Sequence, residues 1–271
     1  MLFTTNDLQE SRVRGTARPD QREIALSLKG CSLSFGDVKV LSNVSLDVYK
    51  NEFVSILGPS GCGKSTTLRL MLELLAPNAG GEVVFPSGKP SIGIVFQKPV
   101  LMPWLSAIQN IELTLSMGPN REMPKEERRD KAESALQLVG LQDFRNHFPH
   151  QLSGGMQQRV AIARALAADP TVLLMDEPFG ALDEFTRERL NFELLRLWES
   201  PDNSLSSVVM VTHSIQESVM MSDRVVMMSP RPAGVEKIVD VPLPRPREVG
   251  MEEHPGFYQT VNELRKMVKH Q

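Results

Sequence analysis

At 271 residues, 41% of them hydrophobic, the chain is long enough to bury a large core, as one domain or as two subdomains sharing it. Its 30 Lys+Arg against 33 Asp+Glu leave a net charge of -3, which excludes a global attraction to nucleic acid or anionic lipid. Two cysteines, Cys31 and Cys62, are too few for a disulfide framework or a cysteine-built metal site and fit a reducing compartment.

Residues 1–21 are polar and Arg-dotted, lack the apolar core of a secretory signal, and are expected to form a flexible arm. From Ile24 to Val48 apolar and polar residues alternate on either side of Phe35-Gly36-Asp37, which predicts two antiparallel strands and a turn. Phe53–Leu57 is a short apolar run that ends at Gly58, followed by a glycine-rich loop and a predicted helix over Ser65–Leu75. Two further strands are expected at Glu82–Phe85 and Ile92–Phe96.

The texture then changes. From Lys98 to about Asp169 the chain reads mainly helical, with Ala132, Ala135, Leu136 and Val139 on one face before Gly140, as an inserted helical subdomain. Alternation of strand and helix returns with Val172–Met175, a helix carrying Leu190, Leu194 and Leu197, and Val208–Val211, which implies a parallel sheet. Prolines keep Ser229–Pro232 and Pro242–Arg247 out of regular structure, and a helix with Phe257, Val261, Leu264 and Val268 closes the chain. No window reaches the ~18 consecutive apolar residues of a membrane-spanning helix, so work at a membrane requires another chain.

Gly58-Pro59-Ser60-Gly61-Cys62-Gly63-Lys64-Ser65 matches G-x-x-x-x-G-K-[ST] between a predicted strand and a predicted helix. Glycines let successive N–H groups turn inward toward phosphate oxygens, and the helix adds the positive end of its dipole. Lys64 is expected to reach the β- and γ-phosphates, Ser65 to place its hydroxyl on Mg²⁺, and Thr66 to add a phosphate contact. Cys62 sits among these donors, where a helix N-terminus favours a thiolate; a tolerated small residue is the plainer reading.

The strand Val172–Met175 ends in Asp176 and Glu177, at the sheet edge where α/β folds bind ligands. Asp176 is expected to hold Mg²⁺ and Glu177 to polarise the attacking water as general base. A second glycine-rich turn, Leu152-Ser153-Gly154-Gly155-Met156-Gln157, precedes another helix. One nucleotide cannot use both helix ends from the same face, which points to a dimer in which this turn caps the other protomer's nucleotide.

The run Leu152–Pro170 followed by Leu173–Asp183 resembles the ATP-binding-cassette (ABC) family, with motifs in family order over roughly residues 22–230. The resemblance implies a P-loop NTPase (RecA-like) α/β core with an antiparallel β subdomain and a helical subdomain over about 98–169. Residues 231–271 then form a Pro/Arg-rich segment and a terminal helix. It implies an ATPase using ATP and Mg²⁺, with Ser153, Gly154, Gly155 and Gln157 touching the ATP bound opposite. By the same resemblance Gln97 contacts Mg²⁺ and the attacking water, Asp183 contacts the other protomer, His213 bonds the γ-phosphate and Phe35 stacks on adenine.

Two positions depart from the family's habit. Asn51 stands where glycine is common and tolerates the left-handed conformation, and Glu73 replaces a frequent glycine after the phosphate-loop helix.

The apolar, proline-bent stretch Lys98–Leu105 resembles the surface on which importer ATPases grip a membrane subunit; its plainer reading is filling of the helical subdomain's own core. The Pro/Arg segment is similar to nitrate, sulfonate and taurine importer ATPases, or else is a solvated linker. These likenesses imply a peripheral subunit at the cytoplasmic face of the inner membrane. Its expected partners are a second protomer, permease subunits and a solute-binding protein, with no nucleic acid. The competing classes are a soluble ABC ATPase acting on nucleic acid, ribosomes or Fe–S assembly, and a degenerate cassette that clamps ATP without hydrolysis. A single cassette without basic excess opposes the first, and intact Lys64, Asp176, Glu177 and His213 oppose the second.

Overall fold

The structure is a computed structural model and describes residues 22–117, 121–200 and 203–269, so the arm expected over 1–21 lies outside the described residues. Its strands are β1 (Ile24–Phe35), β2 (Val38–Tyr49), β3 (Phe53–Leu57), β4 (Glu82–Val84), β5 (Ile92–Val95), β6 (Val172–Asp176), β7 (Ser207–Val211), β8 (Arg224–Met228) and β9 (Val235–Asp240). The α-helices are α1 (Lys64–Met71), α2 (Ala107–Leu115), α3 (Lys125–Leu138), α4 (Gly154–Ala167), α5 (Glu184–Glu199), α6 (Ile215–Met221) and α7 (Pro255–Lys269).

Two sheets result. The order β2-β1-β4 makes an antiparallel sheet, and β5-β6-β7-β3-β8-β9 makes a second sheet that is parallel except for β9. Successive side chains of a strand point to opposite faces, and the central strands are apolar on both. Val54, Ile56, Leu174, Val209 and Val226 therefore join the core shared with the antiparallel sheet. Phe53, Leu57, Leu173, Val208 and Val225 join the core shared with the helices.

Between β5 and β6 the helices α2, α3 and α4 pack on one another. Ser106 and Gln109 form a capping box at the start of α2. Buried Asn110 accepts from Met102 N–H at 2.7 Å and donates to the carbonyls of Met102, Leu105 and Ser106, which pins the preceding loop to the helix.

The helix expected over Ser65–Leu75 stops at Met71. Leu74 and Leu75 N–H both donate to Arg69 C=O, and Glu73 takes φ +55, the left-handed conformation that glycine adopts at low cost. Its carboxylate meets Lys89, a compensation glycine lacks. Asn51, at φ +57, fills the turn between β2 and β3 as expected of an asparagine.

The sequence reading missed α6, β8 and β9. The two proline-bearing stretches are irregular as expected, but β9 runs between them and pairs with β8, adding an antiparallel strand to the parallel sheet. Nor is the second stretch a solvated linker. Arg245 bonds Glu199 and Asp223, each at 3.0 Å, and lies 4.6 Å over the Trp198 ring, while Arg247 is buried and donates to Ser222 C=O. Burial, and then the neighbouring Arg245 charge, lower the Arg247 pKa to about 9. In α7, Phe257, Val261 and Leu264 are buried, whereas Val268 is exposed.

Glu52, before β3, receives Arg224 through two bonds, Nε at 2.5 Å and Nη2 at 2.9 Å, with both side chains buried. Burial raises the Glu52 pKa against the pull of Arg224. Arg224→Ala would leave the buried carboxylate only Arg22, whose Nη1 lies 3.5 Å from Glu52 Oε1, so we expect a loss of about 3 kcal/mol in urea unfolding, the low end for breaking a buried pair. A change below about 1 kcal/mol would mean that the pair is not stabilising the junction of the two sheets.

Candidate active site

The strand order explains how residues far apart in sequence meet. Strands β5, β6, β7 and β3 are parallel neighbours, so the residues just beyond their C-terminal ends line one sheet edge. These are Gln97 after β5, Asp176 and Glu177 at the end of β6, His213 after β7, and Gly58–Lys64 after β3.

The phosphate loop curls through Gly61 (φ +73) and Gly63 (φ +128) into α1. A Cβ at Gly63 would lie 2.7 Å from Leu41 Cδ2, so the β1–β2 hairpin packs directly on the loop. Lys64 Nζ donates to Gly58 and Pro59 C=O at 2.8 and 2.9 Å, folding back over the cradle from within. Pro59 and Ser60 form the loop's rim, Thr66 follows on α1, and Thr67 hydroxyl donates to Gly63 C=O. Cys62 is buried in the core beneath the loop, its sulfur close to Gly58.

Ser65 Oγ donates to Asp176 Oδ1 at 3.0 Å. Burial raises the Asp176 pKa, the Ser65 bond lowers it and nearby Glu177 raises it further. A buried carboxylate beside one hydroxyl is a hard-oxygen donor pair suited to Mg²⁺, which keeps most of its shell for water and phosphate oxygens. Among the described residues no three His, Cys, Asp or Glu are placed to hold a metal ion together, so an ion here would take its remaining ligands from water and nucleotide.

Glu177 has φ +46, a costly conformation for a glutamate, held by its N–H donating to Val211 C=O at 2.9 Å. Its Oε2 accepts from Gln97 Nε2 at 2.9 Å and lies 3.7 Å from His213 Nδ1. Three side chains separated widely in sequence thus face one point, where a carboxylate can take a proton, an amide can orient water and an imidazole can meet an anion.

Two supports were not singled out from sequence. Thr212 hydroxyl and the Asn191 amide bond Glu217, whose pKa burial raises, and Ser214 N–H donates to Thr212 Oγ1, so the backbone carrying His213 is held on both sides. Gln158, buried, donates to Phe96 C=O at 3.1 Å and ties α4 to the residue before Gln97. The Glu217 side chain, polar and two residues into a short helix, offered no periodic signal.

The second glycine turn forms a separate group. Ser153 caps α4, accepting from Met156 N–H at 3.2 Å, and Gln157 Nε2 donates to Pro149 and Leu152 C=O. Ser153 and Gly154 are exposed, and a Cβ on Gly155 would lie 3.2 Å from Leu182 Cδ2. The turn is therefore packed against Ala181 and Leu182. Asp183 caps α5, accepting from Thr186 N–H at 2.9 Å, a bond that lowers its pKa. Phe35 stands at the hairpin tip, 50% exposed.

A family profile described as ABC transporter matches residues 41–180. The chain belongs to the ABC transporter family. It is 40% identical over 268 residues to the bicarbonate transport ATP-binding protein CmpD of Synechocystis sp., covering 94% of this chain and 93% of that one. It is 43% identical over 223 residues to the nitrate transport protein NasD of Klebsiella oxytoca, covering 80% and 83%. Among solved structures it matches a dimeric ATP-binding cassette, MJ0796, in a post-hydrolysis state bound to ADP and Pi. The TM-score is 0.71 and the identity 37%, over 79% of this chain and 98% of that one. The ABC cassette fold expected from the sequence is the observed one, and the chain is an ATP-binding subunit with ATPase activity.

Proposed function

We propose that the chain energises import of a small anion, such as nitrate, a sulfonate or taurine, through a separate membrane permease. Two copies sandwich two ATP molecules, each held by one protomer's Gly58–Thr66 loop and covered by the other's Ser153, Gly154, Gly155 and Gln157. Asp183 sits beside that second group, as a contact between protomers requires. Phe35 stacks on the adenine from the hairpin tip.

Lys64 binds the β- and γ-phosphates, and Ser65, Asp176 and Gln97 hold Mg²⁺, which would neutralise charge building on the phosphate oxygens. Glu177 takes the proton of a water attacking the γ-phosphorus as ADP leaves, Gln97 orients that water, and His213 donates to the γ-phosphate. The carrying observation is the convergence of Gln97 and His213 on Glu177 beside the phosphate loop.

Transport is supported by the loop after Gln97. Leu101 packs on the helical core, but Val100 and Trp104 are 55% and 70% exposed, so the plainer reading accounts for only part of this stretch. An exposed tryptophan beside a catalytic loop suits a helix of a permease. Among the described residues no helix is long and apolar enough to cross a membrane, which agrees with a peripheral subunit at the cytoplasmic face. A solute-binding protein would choose the anion.

Trp104→Glu should leave the ATPase rate of the purified subunit within about twofold of wild type, yet lower permease-stimulated hydrolysis in reconstituted vesicles by about tenfold. Unchanged stimulation would remove this surface from the coupling path. Affinity purification from solubilised membranes that recovered ribosomes or DNA instead of a permease would overturn transport itself.

A further inference from the structure

The turn between β8 and β9 carries an arginine with no part in the reading above. Residues 229–234 close on themselves, Ser229 N–H donating to Gly234 C=O at 3.1 Å and Gly234 N–H to Ser229 Oγ at 3.0 Å. The turn is stitched to β2, because Ser42 N–H donates to Ala233 C=O at 2.8 Å and Ala233 N–H to Val40 C=O at 2.9 Å. Val40 and Leu41 are the residues on which Gly63 packs, and a Cβ on Gly58 would lie 2.9 Å from Met228 C=O. The phosphate loop is therefore flanked by β2 and by this turn. From that frame Arg231 Nη2 donates to Gly61 C=O at 2.5 Å.

A trans peptide points its carbonyl and the following N–H in opposite directions. Drawing the Gly61 carbonyl out toward Arg231 therefore aims Cys62 N–H into the loop, where it meets Pro59 C=O at a long 3.3 Å. So long a bond is weak and easily exchanged for a phosphate oxygen. Gly61, at φ +73, has no Cβ to forbid the flipped peptide, so an outside anchor decides which way the N–H faces.

We propose that Arg231 is a positioning residue for the nucleotide: it locks the Gly61–Cys62 peptide with its N–H facing the phosphates, making the β8–β9 turn part of the affinity machinery. The role rests on the reading of Gly58–Thr66 as the phosphate cradle. It acts on binding, which the cradle performs, and leaves proton transfer at Glu177 untouched.

The test is steady-state ATPase kinetics and Mg-ATP competition binding on the full chain. Arg231→Ala should raise both KM and Kd for ATP about fivefold or more, the net size of one ordinary hydrogen bond, with a smaller fall in kcat. Arg231→Lys, which keeps a cationic donor on a long stem, should recover most of the loss. An Arg231→Ala enzyme with unchanged KM and Kd would overturn the role, whether or not its melting temperature drops. So would a fall in kcat alone. Lys64→Ala run in parallel separates the causes: if it too keeps full affinity, the cradle reading has failed and not the arginine's part in it.

Discussion

Glu177→Gln should bind ATP as well as the wild type and hydrolyse it at least about 10²-fold more slowly, the usual span for removing a general base. The substitution is nearly isosteric. A carboxamide oxygen can still accept from Gln97 Nε2, which reaches Glu177 Oε2 at 2.9 Å, so the local geometry has reason to persist. What disappears is the basic oxygen that takes the proton of the attacking water. Because binding is spared and turnover is not, ATP should accumulate in the closed sandwich, and size-exclusion chromatography with Mg-ATP should show a persistent dimer. Hydrolysis at the wild-type rate would remove Glu177 from the chemistry.

Lys64→Ala should weaken Mg-ATP binding by about 10²-fold or more. The ammonium reaches Gly58 and Pro59 C=O at 2.8 and 2.9 Å, and ATP would draw it onto phosphate oxygens instead. Each charged hydrogen bond is worth about 1.5–3 kcal/mol, and a tenfold change in affinity is about 1.4 kcal/mol. The readout is the rise of melting temperature on adding ATP, which reports binding to the folded state and should vanish in the variant. An undiminished rise would refute the assignment of the loop. Since the variant also frees two backbone carbonyls, its melting temperature without nucleotide measures how far the empty loop depends on the same ammonium.

The two variants differ in what they owe to chain order. Lys64 lies in one contiguous stretch whose glycines, lysine and serine already describe a phosphate cradle. Glu177 gains its meaning from Gln97 and His213, which follow different strands. A reader of the sequence alone reaches them by resemblance to a family, because nothing in a lone glutamine after a strand declares a partner.

The same division runs through the fold. Alternation predicted β1 and β2, and short apolar runs predicted β3, β5, β6 and β7, because these signals are local and strong. α6 is seven residues long, too short for periodicity to show; β8 is a five-residue apolar run like β3 and β7 but opens on the charged Arg224 and directly follows α6; and β9 is mostly exposed and lies between prolines. Missing them hid the turn that brings Arg231 to Gly61. The burial of Arg245 and Arg247 was equally hidden, since a Pro/Arg stretch reads as solvated until Glu199, Asp223 and Trp198 come from other elements to receive it.

By itself, then, the sequence determined the phosphate loop, the acidic pair at a strand end, the second glycine turn and the family these motifs imply. Each depends on residues within a few positions of one another, where backbone conformation follows residue type. The tertiary structure alone decided the meeting of Gln97, Glu177 and His213, the packing of Gly155 on Leu182, and the hold of Arg231 on Gly61. These depend on strand order in the sheet, which side-chain burial across the whole core selects and no local pattern records.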